Sequence, residues 1–260
     1  MNRHVYVHSF AEISQRGIIS PTKKLSWDAD QQDVFSIKRE QVLEKPFPVF
    51  GKLQPPEKLS FSLAALMLSG DNTQHDENTG ICLASTFGSF STDCKYMETV
   101  SSGFASPAYF SATLPSSPVA EVAISFKLKG PDRVIAGGNN PGIDALDLGI
   151  NALLCGKTSR MMILIVNAID PKDIWSLSSY DKKRSLPCGF GLLLGSHTPD
   201  SAPVATLRLE GTFMKTDSDI PPGETYFTEI ISALYSNRSE TISIRTPDYS
   251  GNAFVTKEMK

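Results

Sequence analysis

Arg133-Val-Ile-Ala-Gly-Gly-Asn139-Asn-Pro-Gly142-Ile-Asp-Ala-Leu146 reads as a buried strand, a tight glycine elbow and the first turns of a helix. Asn140 is placed as the helix cap, Pro141 as the first helical residue and Gly156 as the C-terminal stop. An elbow of this kind holds one side chain at a helix N-terminus, where amide donors and the positive dipole end lower a thiol's pKa or brace an anion. Here that side chain is Asn139. A carboxamide has no proton to lose and no lone pair nucleophilic enough to accept an acyl group, so Asn139 can hydrogen-bond and cannot carry covalent catalysis.

The helix beyond the elbow carries Ile143, Ala145, Leu146, Leu148, Ile150, Ala152, Leu153 and Leu154, which cover nearly its whole circumference. That pattern predicts a helix buried on all sides, with layers above and below it. Met161 to Val166 follows as a strand parallel to the one before the elbow, because a helix of this length makes a crossover.

Working outward, the chain alternates strands and helices. Val5 to Ser9 is a first short strand, followed by a polar stretch to about residue 45. Pro55-Pro56 opens a helix over Glu57–Leu68, stopped by Ser69-Gly70. Gly80 to Thr86 is a buried strand ending in Phe87-Gly88-Ser89, and a polar helix starts near Asp93. Ser117 as cap and Pro118 at the first position begin a helix through Val119–Phe126. Gly189–Gly195 and Val204–Thr212 are read as a closing pair of strands. In the tail, Thr225–Tyr235 is helical, and Glu240–Arg245 with Gly251–Thr256 forms a hairpin across Pro247 to Gly251. The expected fold is α/β: a layered α-β-α arrangement around a mixed five-stranded sheet in residues 1–215, with residues 216–260 adding a short helix and hairpin.

At 260 residues and 40% apolar content, the chain supports one sizeable core. A net charge of −3 offers no electrostatic footprint for nucleic acid. The run Lys182-Lys183-Arg184 is read as a solvated loop. The N-terminus lacks the apolar run of a secretion signal, and nothing approaches the ~18 apolar residues of a membrane span, so the cytosol is the default location. The four cysteines, Cys82, Cys94, Cys155 and Cys188, lack metal-site spacing. Cys82 and Cys155 lie in apolar runs and are expected in the core.

Phe110-Ser-Ala-Thr-Leu114-Pro-Ser-Ser-Pro-Val-Ala-Glu-Val-Ala-Ile124, the Lys127-Leu-Lys-Gly-Pro131 turn and the Gly142-Ile-Asp-Ala-Leu146 helix start resemble the N-terminal half of the β-ketoacyl synthases. Within that superfamily the elbow is most similar to the chain-length factors of type II polyketide synthases, including the aryl polyene type. The resemblance covers roughly residues 1 to 215 and implies one half of the thiolase-like duplication. It implies that Asn139 stands where a ketosynthase carries its acylated cysteine and most chain-length factors carry glutamine. It also implies that two histidines and a lysine from a second half are needed for condensation. No histidine follows His197 in this chain. Ser196-His197-Thr198-Pro199 lacks the glycine-threonine-glycine continuation of the family's histidine motif and is read as a surface loop, while His4, His8 and His75 sit at the N-terminus or in a polar loop. A half-subunit would expose the apolar elbow helix, so the tail, a second copy or a full-length partner must cover it.

By resemblance, the expected role is a subunit without catalysis of its own, needing no cofactor or metal. It would pair with a full-length ketosynthase through the strand from Arg133 to Ala136 (Arg133, Val134, Ile135, Ala136) and work on chains carried by an acyl carrier protein. Phe110, Leu114, Asn139 and Asn140 would line or cap the partner's acyl tunnel, although Phe110 and Leu114 could equally be ordinary core. Two other readings stand beside it. One is a malonyl-carrier-protein decarboxylase using Asn139 as an oxyanion donor, which lacks an acid/base pair. Ser89 and Ser91 do not supply a hydrolase alternative, since neither has a nearby histidine or flanking glycines of the right kind. The other is a stand-alone homodimer that binds acyl carrier proteins.

Overall fold

A computed structural model describes residues 4–27, 34–70, 76–138, 140–170, 172–173, 187–196, 205–213, 224–236, 240–246 and 249–256. Asn139, His75, His197 and the run from Lys182 to Arg184 lie outside them. Among the described residues the strands are β1(His4–Ser14), β2(Gly17–Ile19), β3(Lys24–Leu25), β4(Gly80–Ser85), β5(Asp132–Ala136), β6(Arg160–Asn167), β7(Cys188–Gly195), β8(Ala205–Phe213), β9(Glu240–Thr246) and β10(Tyr249–Thr256). The helices are α1(Arg39–Val42), α2(Pro55–Gly70), α3(Phe90–Ser101), α4(Pro107–Ala112), α5(Ser117–Ser125), α6(Pro141–Leu154) and α7(Glu224–Ser236).

All ten strands join one mixed sheet in the order β5-β4-β6-β7-β1-β8-β10-β9, with β2 and β3 added beside β1. β5, β4 and β6 are parallel and every other pairing is antiparallel. The first five strands in that order are the expected mixed block, and β8 and the tail hairpin extend it. The expected hairpin is present, pairing Tyr249 with Thr246 and Val255 with Glu240, but its second strand begins at Tyr249 rather than at Gly251.

Two expectations about the sheet need correction. The first strand does not stop at Ser9; it runs eleven residues to Ser14 and continues into β2 and β3. And β7 and β8 do not pair with each other, because β1 lies between them, matching Phe10 to Leu192 on one side and Val5 to Leu207 on the other. The polar letters Ser9, Glu12 and Ser14 disguised this central strand. All three are buried, Glu12 fully, and its carboxylate is held by the Arg16 guanidinium and by the Ser14 hydroxyl at 2.5 Å. A buried carboxylate is tolerated only when paired and hydrogen-bonded in this way.

The sheet separates two apolar layers. On one face α2 and α5 pack with the 34–53 segment over Ala11, Ile13, Leu83, Leu164 and Leu193. On the other, α6 and α7 pack over Val5, Val7, Ala84, Ile163 and Leu192. Adjacent strand residues alternate between the layers as the pleat requires. Gly189 and Gly191 of β7 let α2 lie close to the sheet, since a Cβ at Gly189 would meet Leu59 Cγ and Leu63 Cδ1 at 2.9 Å.

The tail is what covers much of the elbow helix. α7 buries Tyr226, Phe227, Ile230, Ile231 and Leu234 in the same cluster as Ile143, Leu146 and Ile150. Phe227 sits so near Gly142 that a Cβ there would lie 2.9 Å from its ring. Arg16 ties the tail down further by donating to the Ser232 hydroxyl at 3.1 Å.

That cover is incomplete, so α6 is not buried on all sides. Leu148 and Leu154 are 46% and 47% exposed, and Cys155, expected in the core, is exposed as well. Periodicity reports how much apolar surface a helix carries and does not say which molecule covers it. No helix among the described residues is long and apolar enough to cross a membrane.

Candidate functional site

β5 ends the sheet, pairing in parallel with β4 from Asp132 beside Ile81 to Ala136 beside Ser85. The Pro131 carbonyl accepts from Ile81 N–H at 3.0 Å, and Gly137 N–H donates to the Ser85 carbonyl at 2.9 Å. Along a strand the hydrogen-bonding groups alternate in direction, so Arg133 and Ile135 turn their amides toward β4. Asp132, Val134 and Ala136 therefore present N–H and C=O groups to an open edge. Side chains alternate as well: Ile135 packs on the α6 layer and Val134 on the α2 layer.

Past the strand, Gly137 and Gly138 take φ of +83° and +89°, the left-handed region where glycine meets no Cβ penalty. This is the elbow the two glycines predict. Asn140 then stands at the N-cap of α6 with Pro141 as first helical residue, but the cap differs from expectation. The Asn140 carbonyl accepts from Ile143 N–H at 3.1 Å, while its side chain makes no cap hydrogen bond. That carboxamide is buried, and neither its nitrogen nor its oxygen has a hydrogen-bond partner among the described residues.

Beside the elbow on the α2 face, Leu83, Ala112, Leu114, Val134 and Ala136 line a crevice with about 10 Å³ of free space, together with Glu57, Gly88 and Ser89. That holds about one water and no ligand. Glu57 accepts from Gln54 N–H at 2.9 Å and so caps α2. Burial raises its carboxyl above the ordinary value, and the nearby Glu121 adds to the rise against that hydrogen bond.

The structure thus joins Leu114, Val134 and Ala136 at one crevice, while Arg133 and Ile135 face the other layer. Phe110 lies outside the crevice with its ring 5.5 Å from that of Tyr96. Neither Phe110 nor Leu114 is core: each is 60% exposed. Sequence reasoning missed their company, since Met97, Val100 and Phe104 on and after α3 are also exposed large apolar residues. The signal was available as large apolar letters interrupting a polar helix and following Gly103, whose φ is +83°. α5 begins one residue earlier than expected, with Ser116 rather than Ser117 at its N-cap.

The alternative nucleophiles are engaged in structure. The Ser89 hydroxyl donates to Asp93 at 3.1 Å, and Ser91 accepts from Asp170 N–H at 2.8 Å. Burial pushes the Cys82 thiol up to about 11 despite the opposing charge of Arg133, so it is no thiolate at neutral pH. Cys94 is raised too, by burial first and then by Asp173 and Asp93. His4 and His8 lie on β1, with the His8 imidazole against Gly195.

No family model matches the chain, and no curated protein matches it by sequence. Solved structures do match. A chain of the ketosynthase ApeO in complex with its chain length factor ApeC, from Xenorhabdus doucetiae, superposes with a TM-score of 0.65 at 12% identity, over 97% of this chain and 99% of that one. The fold is that of ketosynthase and chain-length-factor chains. The ishigamide ketosynthase/chain length factor agrees at a TM-score of 0.63 and 17% identity, over 80% of this chain and 67% of that one. A chain of AntDE:AntF, a type II acyl-carrier protein in complex with its ketosynthase bound to the hexaketide, gives 0.66 at 12% identity over 99% and 100%.

Proposed function

We propose that this chain is a chain-length-factor-like subunit without condensing activity of its own, which pairs with a full-length ketosynthase in a type II system acting on chains held by an acyl carrier protein. The open β5 edge carries this reading. Its edge-facing backbone groups, the Asp132 N–H and both groups of Val134 and Ala136, have no strand partner among the described residues and are a template for an added strand, which gives affinity through main-chain bonds and specificity through flanking side chains. Leu114, which shares a crevice with Val134 and Ala136, is exposed, as are Phe110, Met97 and Phe104, and exposed apolar surface marks protein interfaces. The asparagine at position 139 supports the lack of condensing chemistry, since no thiolate is available there. In the assembled pair, Phe110, Leu114 and the elbow residues Asn139 and Asn140 border the partner's acyl tunnel. An apolar wall there stops growth because each further methylene must find space or overpack. In this role, residues 1–215 act as the ketosynthase half and residues 216–260 as its cover.

Co-expression with the ketosynthase of the same system tests the reading. A stable 1:1 complex that extends chains on the carrier protein, with no turnover by either this chain alone or its Asn139→Ala variant, is the expected result. Condensation, or release of CO2 from malonyl carrier protein, by the isolated chain would overturn it.

A further inference from the structure

On the face of β5 opposite the crevice lies an open groove with about 430 Å³ of free space, enclosed by Arg133, Leu148, Ala152, Cys155, Lys157 and Met161. Its size falls in the range of sites that enclose a ligand or a partner's side chains. The walls are mostly apolar, and among the described residues its charged groups are both cations, Arg133 and Lys157. Among the described residues the Arg133 guanidinium has one hydrogen bond, to the carbonyl of the preceding Asp132 at 2.6 Å. The groove also opens along the same edge at which β5 leaves its amides free, so a strand added there runs past it.

We infer that this groove is the socket for a segment of the partner ketosynthase that adds to β5 as an antiparallel strand and presents an acidic side chain to Arg133 and Lys157 and an apolar one to Leu148 and Ala152. The inference rests on the subunit reading above. Pleating fixes the geometry, because residues directly opposite each other on paired strands point to the same face. The partner residue beside Arg133 therefore projects into the groove, where an opposite charge is favoured and a like charge disfavoured.

The same geometry argues against a second copy as occupant. In a two-fold pairing that keeps both α6 helices on one face, the groove-facing residues of the second strand would again be Pro131, Arg133 and Ile135. None is acidic, and the second Arg133 would add charge of the same sign. Electrostatic complementarity then selects a different polypeptide and suppresses self-pairing.

Titration calorimetry of the purified chain against the ketosynthase, at rising NaCl, tests this. For the unmodified chain, affinity should fall with salt. The double variant Arg133→Glu/Lys157→Glu should bind roughly 100-fold more weakly, with affinity that rises with salt as the repulsion is screened, and Arg133→Gln/Lys157→Gln should lose roughly tenfold together with the salt dependence. Leu148→Arg should weaken binding through the apolar wall, which guards against a reversal variant that fails to fold. Val134→Pro, which removes an edge N–H without touching the β4 ladder, should abolish the complex. If Val134→Pro does so but all the groove variants bind like the unmodified chain at every salt concentration, the socket is wrong and the subunit reading stands. If Val134→Pro binds normally as well, the strand pairing itself is wrong. A stable homodimer of the isolated chain that Val134→Pro dissociates would overturn the assignment of the occupant.

Discussion

α2 and α6 lie on opposite faces of one sheet, and both are rich in apolar residues, yet only α2 is sealed by its own chain. Every residue of α2 from Leu59 to Met67 is buried, capped from outside by Phe47, Phe50, Val34 and Val42. The Phe61 ring stacks on Phe47 at 4.5 Å and meets Phe126 at 5.1 Å and Phe50 at 5.9 Å. α6 receives α7 over its first turns and then leaves Leu148 and Leu154 in the open. The difference separates a helix sealed by its own chain from one that keeps apolar surface in the open.

Truncating Phe61 to alanine should break the comparison most severely, at about 3–5 kcal/mol of stability by chemical denaturation, because it empties a closed aromatic cluster. Phe227→Ala should cost somewhat less, about 3 kcal/mol, and should raise hydrogen exchange across α7 and the first turn of α6 while leaving α2 protected. Equal loss of protection on both faces would show that the tail is not a separate cover. Arg16→Ala should cost about 2 kcal/mol, by leaving the fully buried Glu12 carboxylate with the Ser14 hydroxyl as its remaining partner among the bonds described, and should loosen α7 through Ser232. On the open stretch of α6, Leu148→Ser should change the stability of the isolated chain by no more than about 0.5 kcal/mol. A larger loss would place Leu148 in the core.

The smallest effect concerns pH. The Glu57 carboxyl is raised above its ordinary 4.5, so the folded state holds that proton more tightly than the unfolded chain does. The stability this proton contributes is complete below pH 4.5 and is lost as pH rises through the folded value. Glu57→Gln keeps an oxygen for Gln54 N–H and should flatten the stability profile just above pH 4.5, measured by thermal melts. A steeper profile would mean that Glu57 is stabilised as the anion.

The parallel core was legible because its signals were local. Gly80–Ser85 and Arg160–Asn167 are unbroken buried runs flanked by glycine, proline and capping residues, and Gly137-Gly138 announces the elbow. What escaped were features decided by distant partners. The eleven residues of β1 were unreadable because the burial of Glu12 depends on Arg16, and the order of β7, β1 and β8 depends on pairing across nearly the whole chain. The exposure of Cys155 and Leu148 escaped for the opposite reason, since an apolar letter looks the same whether its cover is intramolecular or supplied by another chain. Of the candidate site, the strand edge and the elbow were readable, and the splitting of Arg133 and Val134 onto separate faces follows from the pleat. The cationic groove needed the third dimension, because Arg133 and Lys157 converge only through the turn after α6.

The position of β1 also sets a timetable for synthesis. β1 waits for two neighbours encoded close to 190 residues later, β7 and β8. Until then only its last residues, Glu12 to Ser14, have a strand partner, in β2, and pairings of such long sequence separation form slowly. A nascent chain in that condition is open to misassembly, so the yield of native protein should depend on how quickly translation reaches β7 and β8.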